Sequence, residues 1–283
     1  MSIRLLALDI DGTLLPPGGG HTALPDAAIT GVIKRLSDAG VFVALASGRM
    51  FPGTARIAAH LQLQTPLICQ QGASVHAPDG GVTHRFAIDH DIALDLVHYA
   101  RAHNWPFAWF DATRYLVSTA NAASTEYALV SGIEQEFHAH PEHTDVLPTG
   151  IDIVSNPTEA NRIHALMQRR YGDRVHLLDF PSVTAAHAPG ASKGQALALL
   201  AQDLGIAQTD VMAIGDSVND ASMLEWAGRG VTLPHADRYA RAAADEVLSG
   251  HGIDGVAPLL EEVLEEVLQR APTSSAGTLP GSI

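Results

Sequence analysis

The stretch LLALDIDGTLL, Leu5 to Leu15, decides the fold. From Ile3 to Leu8 the chain is apolar apart from Arg4, which suits a strand covered on both faces. The run ends in two aspartates, Asp9 and Asp11, separated by Ile10 and followed by Gly12. Charge at the end of a buried strand is costly unless something compensates for it, so this ending points to a site rather than to packing.

Working outward, a Pro/Gly-rich loop, PPGGGHTALP, leads to PDAAITGVIKRLSDAG, where Ile29, Val32, Ile33 and Leu36 recur at helical spacing and Gly40 marks the stop. VFVALA follows as a second buried strand, then SGR, another helical stretch, and PLICQ as a third strand. Strand, helix, strand, helix, strand implies parallel βαβ units. The same rhythm returns late in the chain, with SKGQALALLAQDLG as a helix, VMAIGD as a strand, NDASMLEWAG as a helix, GVTL as a strand and DGVAPLLEEVLEEVLQ as an amphipathic helix. Residues 1–84 and 188–270 therefore read as one Rossmann-like, doubly wound α/β core.

Between them, over 85–187, the pattern changes to short strands, RYLVST, GIDIVSN and RVHLLDF, with helices among them. A segment of about 100 residues is a usual domain size, and a smaller α/β domain inserted into the core is the expectation. Residues 271–283, APTSSAGTLPGSI, read as a disordered tail.

Of 283 residues, 46% are hydrophobic and 17% charged, the balance of a soluble globular protein. A formal net charge of -14 argues against nucleic-acid and anionic-membrane partners, while a cation-filled pocket can still hold a small phosphate. The lone cysteine, Cys69, forms no internal disulfide and reads as a small buried hydrophobe. The N-terminal apolar run is too short for a signal peptide, and no stretch approaches the roughly 20 apolar residues of a membrane helix. A reducing cytoplasm is the expected compartment.

In open parallel sheets, ligands bind beyond the carboxyl ends of the strands. Asp9 and Asp11 follow the first strand; Ser47, Gly48 and Arg49 follow the second; Asp216, Asn219 and Asp220 follow VMAIG; and Lys193 opens the helix before it. Four converging carboxylates repel one another unless cations intervene, and an oxygen-rich site with open positions suits Mg²⁺. Lys193 adds positive charge, Ser47 a hydroxyl, and the backbone near Gly12 and Gly48 can face an anion. This outlines phosphoryl transfer, with Asp9 as nucleophile and Asp11 as proton donor and acceptor.

DIDGT at 9–13, SGR at 47–49, SKG at 192–194 and GDSVND at 215–220 resemble the four ordered motifs of the haloacid dehalogenase superfamily. Their order and the gap after the second resemble the Cof-type branch, subclass IIB, with an α/β cap between the second and third motifs; the similarity covers all but the tail. The resemblance implies Asp9 as nucleophile and metal ligand, and Asp11 as general acid/base that also offers Mg²⁺ its backbone carbonyl. It further implies Ser47 and Lys193 as phosphate holders, Asp216 as direct metal ligand, and Asn219 and Asp220 as supports for the metal, the phosphate and the lysine. Dehalogenases and P-type ATPases resemble this family but lack the second aspartate, so Asp11 favours a phosphatase or phosphomutase. A small phosphomonoester is the implied substrate, a sugar phosphate first and a phosphorylated cofactor next; a non-catalytic binder of phosphometabolites is the reading from another class. Oligomeric state and substrate-selecting residues stay open.

Two positions depart from the branch. Gln71 stands where Asn is usual, and His235 in GVTLPHAD stands where Asn is usual. Other features read as structure: HAHPEH, with His138, His140 and His143, as a solvated loop rather than a zinc site, NWPFAWF as packing, and EEVLEEV as the wet face of the last helix.

Overall fold

The computed structural model describes residues 3–270; the tail expected at 271–283 lies outside the described residues. In chain order the strands are β1 (Leu5–Leu8), β2 (Phe42–Leu45), β3 (Leu67–Cys69), β4 (Ser74–His76), β5 (Val82–Arg85), β6 (Phe107–Phe110) and β7 (Tyr115–Val117). They continue as β8 (Gln135–Phe137), β9 (Gly150–Val154), β10 (His176–Phe180), β11 (Val183–His187), β12 (Val211–Gly215), β13 (Arg229–Thr232) and β14 (Glu246–Val247).

One sheet has the order β14-β13-β12-β1-β2 and is parallel throughout. Strand β1 lies inside it, and every one of its side chains is buried, because helices cover both faces. Leu6 and Leu8 pack with Ile33, Leu36 and Val263, while Leu5 and Ala7 pack with Leu197 and Leu200. Register places Leu8 opposite both Leu45 and Ile214, so Asp9, Ser47 and Asp216 leave the sheet along one edge. The helix Lys193–Asp203 is capped by the Ser192 side chain, which accepts from the Gln195 N–H at 3.1 Å and fixes Lys193 in its first turn.

PLICQ, expected as a third parallel strand, touches β2 through one parallel bridge, Ala46 to Ile68, and otherwise pairs antiparallel with β4. The chain turns back on itself there through Gln70 and Gln71 to form a three-stranded sheet, β3-β4-β5.

A second sheet, β10-β11-β9-β6-β7-β8, falls between residues 107 and 187 and is antiparallel except for β7 with β8. NWPFAWF supplies β6, whose four residues are all buried. Phe107, Trp109, Ile151 and Ile153 point to one face, packed with residues of the helices His90–Ala102 and Ala160–Tyr171. The period of two sends Ala108, Phe110, Asp152 and His187 to the other face, over the edge of the parallel sheet that carries Asp9. Polar contacts join the two sheets' surroundings: the Met50 N–H donates to Ser131 Oγ at 3.1 Å, the Tyr127 hydroxyl to the Gly48 carbonyl at 3.1 Å, and Thr149 Oγ1 to Gln70 Oε1 at 3.1 Å. Among the described residues no helix is long and apolar enough to cross a membrane.

Candidate active site

Lys193 is wholly buried, and its ammonium donates to Asp9 Oδ1 at 2.6 Å and to Asp220 Oδ1 at 2.6 Å. Burial opposes the charge, but Asp220 and Asp9 outweigh it and raise the lysine's pKa above its ordinary value. The second oxygen of Asp220 accepts from the backbone N–H groups of Asp216 and Ser217, each at 2.9 Å. Asp220 is thus fully occupied, while Asp9 keeps an oxygen uncommitted among the described residues. Burial pushes Asp9 well above the usual carboxylate range, and the neighbouring Asp220 adds to that push.

Asp216 stands beside them: single oxygens of Asp9, Asp216 and Asp220 lie within 4.8 Å of one another. Thr13 Oγ1 donates to Asp216 at 3.0 Å, and burial, then Asp220, lifts the Asp216 pKa to about 7. Gly12 makes this approach possible, because a Cβ there would lie 2.3 Å from Asp216 Oδ2 and its φ of +95° is left-handed. His235 Nε2 is 2.9 Å from the Gly12 carbonyl, which can only accept, so this nitrogen carries the proton. The family-variant histidine therefore fastens the Asp11–Thr13 turn from behind.

Asp11 does not join the carboxylate cluster. Its half-exposed side chain is gripped by the buried Arg49, with Nε at 2.7 Å from Oδ2 and Nη2 on the other oxygen. Ser47 Oγ, also buried, accepts from the Arg49 backbone N–H at 3.2 Å. The other variant position, Gln71, has φ 61°, and its neighbour Gln70 has φ 51°. Asn takes such backbone more readily than Gln. Here the Gln71 amide oxygen accepts from the Asn219 side chain, and Ser217 donates to the remaining Asn219 oxygen.

A cavity of about 280 Å³ separates these groups from the second sheet. Asp9, Asp11, Arg49, Gln71 and Asn219 line its floor; Phe110, Tyr115, Tyr127, Asp152, Phe180 and His187 line its ceiling. Sequence reasoning assigned no role to Thr13, Arg49, Tyr127, Asp152 or His187. Thr13 and Arg49 lie inside the quoted motifs, and Asp152 interrupts the apolar strand GIDIV much as Asp9 ends LLAL. Separately, His140, Glu142 and His143 bring ligand atoms within 4.8 Å of one another, but Glu142 already receives two hydrogen bonds from Arg101, at 2.8 and 2.7 Å.

Two substitutions test this geometry. Gly12→Ala should lower unfolding free energy by about 1–3 kcal/mol in urea titration, since the methyl group must displace Asp216 and hold a left-handed backbone; an unchanged midpoint would show that the turn moves freely. Burial alone raises Asp152 from its ordinary 3.8 to about 7. A raised folded pKa means stability that is full below about pH 4 and lost as pH climbs to about 7, a loss of about 4 kcal/mol. Asp152→Asn should therefore resist urea better than wild type at pH 8, with the gap closing towards pH 4; a gap that ignores pH would refute the assignment.

Comparison with known proteins agrees with this geometry. The family model for haloacid dehalogenase-like hydrolases matches residues 6–260. An HMP-PP phosphatase of Citrobacter koseri is 30% identical over 241 residues, covering 82% of this chain and 85% of that protein. Phosphatase YwpJ of Bacillus subtilis is 27% identical over 298 residues, covering 93% of this chain and 100% of that protein. The fold is matched by a haloacid dehalogenase-like hydrolase from Bacteroides thetaiotaomicron, with TM-score 0.78 and 21% identity, over 93% of this chain and 100% of that one. The chain belongs to the haloacid dehalogenase-like hydrolases, and the curated relatives it resembles are phosphatases.

Proposed function

We propose that this chain is a Mg²⁺-dependent phosphomonoesterase that passes the phosphoryl group of a small metabolite first to Asp9 and then to water. The observation that carries the reading is Asp9 itself: a carboxylate at the floor of the cavity between the two sheets, ion-paired to a buried lysine, with a second carboxylate two residues along the same turn. Asp9, Asp216 and Asp220 set three carboxylates against one lysine in a crevice of oxygen donors, a composition that fits a hard divalent cation. Asp9 and Asp216 would hold Mg²⁺ with the Asp11 carbonyl, Asp220 being spent on Lys193 and two backbone N–H groups. When bound, the ion supplies positive charge for the phosphoryl oxygens.

The protein's own groups carry the steps. The free oxygen of Asp9 attacks phosphorus as the bond to the leaving oxygen breaks, and Asp11, once released from Arg49, gives that oxygen a proton. Asp11 then takes a proton from the water that cleaves the Asp9 phosphoryl ester. Lys193, the Ser47 hydroxyl, the Asn219 amide and the backbone N–H groups of Gly12 and Gly48 are the phosphate-side contacts in this reading. Residues 85–187 act as a cap inserted into a core of 1–84 and 188–270, and the contacts of Tyr127, Ser131 and Thr149 hold the cap over the site, where it excludes water from the first step. The cytoplasm is the proposed setting, on the single buried cysteine.

A phosphate-release screen with Mg²⁺ over a panel of phosphorylated metabolites tests the reading. Wild type should release inorganic phosphate, EDTA should silence it, and Asp9→Asn should fall at least about a thousandfold while staying folded. Full activity in Asp9→Asn would remove the nucleophile. An isomerised sugar phosphate without free phosphate would make the chain a mutase, and tight binding without any turnover would make it a binder.

A further inference from the structure

We propose that His140, Glu142 and His143 form a second metal site, on the connection between β8 and β9, and that it takes a borderline divalent cation of the Zn²⁺ class.

HAHPEH reads as a solvated loop, yet its centre is out of solvent: Pro141 is buried and the Glu142 side chain is 3% exposed, while His140 and His143 stay on the surface. Pro141 opens a single turn of 3₁₀ helix, Pro141–His143, and its ring fixes the backbone there. The N–H groups of His143 and Thr144 close the turn by donating to the His140 and Pro141 carbonyls, each at 3.1 Å, and the Thr144 hydroxyl donates to the Pro141 carbonyl at 2.6 Å. Residues three apart eclipse in such a turn. His140 and His143 therefore lie one over the other, with ring planes within 10° of parallel and centroids 5.2 Å apart.

Glu142 is the third donor. Arg101, from the helix His90–Ala102, holds its carboxylate in place, with Nη2 donating to Oε1 at 2.8 Å and to Oε2 at 2.7 Å. Both bonds come from one nitrogen, so each oxygen keeps a further lone pair. Burial opposes the charge on Glu142, but bonds from the backbone, His140 and Arg101 outweigh it and hold the pKa below the ordinary value. His140 Nδ1 stands 3.2 Å from Glu142 Oε1 and donates its proton to it. Two ligands at about 2.0–2.1 Å from a tetrahedral zinc lie about 3.3 Å apart, so the cation can replace that shared proton with little movement. His143 offers a ring nitrogen within 4.8 Å of the other two ligand atoms, and among the described residues no hydrogen bond engages its ring.

The donors select the metal. Two imidazoles and a carboxylate suit Zn²⁺, Co²⁺ or Ni²⁺ over Mg²⁺, whereas the all-oxygen cluster of Asp9, Asp216 and Asp220 has the opposite preference. None of His140, Glu142 and His143 lines the cavity floored by Asp9, so the two sites fill independently. Arg101 orients the ligating carboxylate from outside, the part that supporting groups play around a metal. An ion here would clip the exposed turn, through Glu142 and Arg101, to the helix that covers the second sheet.

Calorimetric titration of the full chain with ZnCl₂ in excess Mg²⁺ tests the site. It should show one Zn²⁺ ion bound with Kd tighter than about 10 µM, and the same Kd in Asp216→Asn. His140→Ala, His143→Ala and Glu142→Gln should each weaken binding at least about 10-fold. Zn²⁺ at about 100 times Kd should raise the melting midpoint of wild type by roughly 5 °C and leave that of His143→Ala unchanged. Melts without zinc show whether each variant is folded, and the two histidines, being exposed, can be replaced without disturbing packing. A Kd unchanged in both histidine variants, binding that Asp216→Asn abolishes, or displacement of Zn²⁺ by Mg²⁺ would each overturn the site. Affinity lost with the histidines but kept in a folded Glu142→Gln would reduce it to a surface histidine pair and overturn the three-ligand assignment.

Discussion

The site depends on one buried cation. Lys193 lies between Asp9, 184 positions before it in the chain, and Asp220, 27 positions after it, which come from opposite ends of the parallel sheet's sequence. Neither carboxylate tolerates burial alone, and neither does the lysine. The trio is possible because β1 and β12 are adjacent and in register, and because Ser192 starts the helix so that Lys193 emerges in its first turn. Removing the ammonium would leave two buried carboxylates beside a third, Asp216, with no protein cation among them. The same imbalance, three negative charges against one positive, makes the cluster a place for a further cation.

Around this fixed centre the turns are tuned by less rigid means. The Asp11–Thr13 turn is held at three points, by Arg49 on Asp11, His235 on the Gly12 carbonyl and Thr13 on Asp216. Asp11 is the most exposed of these groups and lies in an ion pair outside the buried trio, which suits the proton-transfer role proposed for it. Beyond this turn, Gln70 and Gln71 accept a left-handed backbone, whose cost is of the order of 1–3 kcal/mol per residue. Their side chains return part of it: Gln70 accepts from Ser74 and Thr149, and Gln71 bonds Asn219. The strained pair thereby ties the second sheet's surroundings to the floor.

How much of this was legible follows from how each residue is placed. Asp9, Ser47, Lys193 and Asp216 were readable because they lie just beyond strands, or at a helix start, whose parallel register a βαβ pattern already dictates. Asp11 was readable as a motif member, but not its capture by Arg49, since the partner of a mobile side chain is set by three-dimensional proximity. The strand PLICQ was placed in the parallel sheet because its apolar run says nothing about the reversal at Gln70 and Gln71. NWPFAWF read only as packing because its aromatic residues alternate imperfectly, and pairing with β9 is what separates Phe107 and Trp109, buried under helices, from Phe110, over the cavity. Asp152 carried the same signal as Asp9, a carboxylate in an apolar strand, yet a strand in the interrupted middle of the chain has no expected edge to give that signal a meaning.

Two carboxylates, Asp9 and Asp152, show how the halves of the cavity differ. Asp9 is compensated from within the protein by Lys193. Asp152 has no such partner, only alanines beside it and aromatic rings around it. A packed core would replace such a residue with an apolar one at no cost to the fold, because its burial opposes stability above about pH 4. Asp152 lies on the face of the second sheet that packs against Tyr127 and Ala128 of the helix Ala122–Ser131 and lines the cavity, so any compensation for its charge has to come from the cavity rather than from the fold.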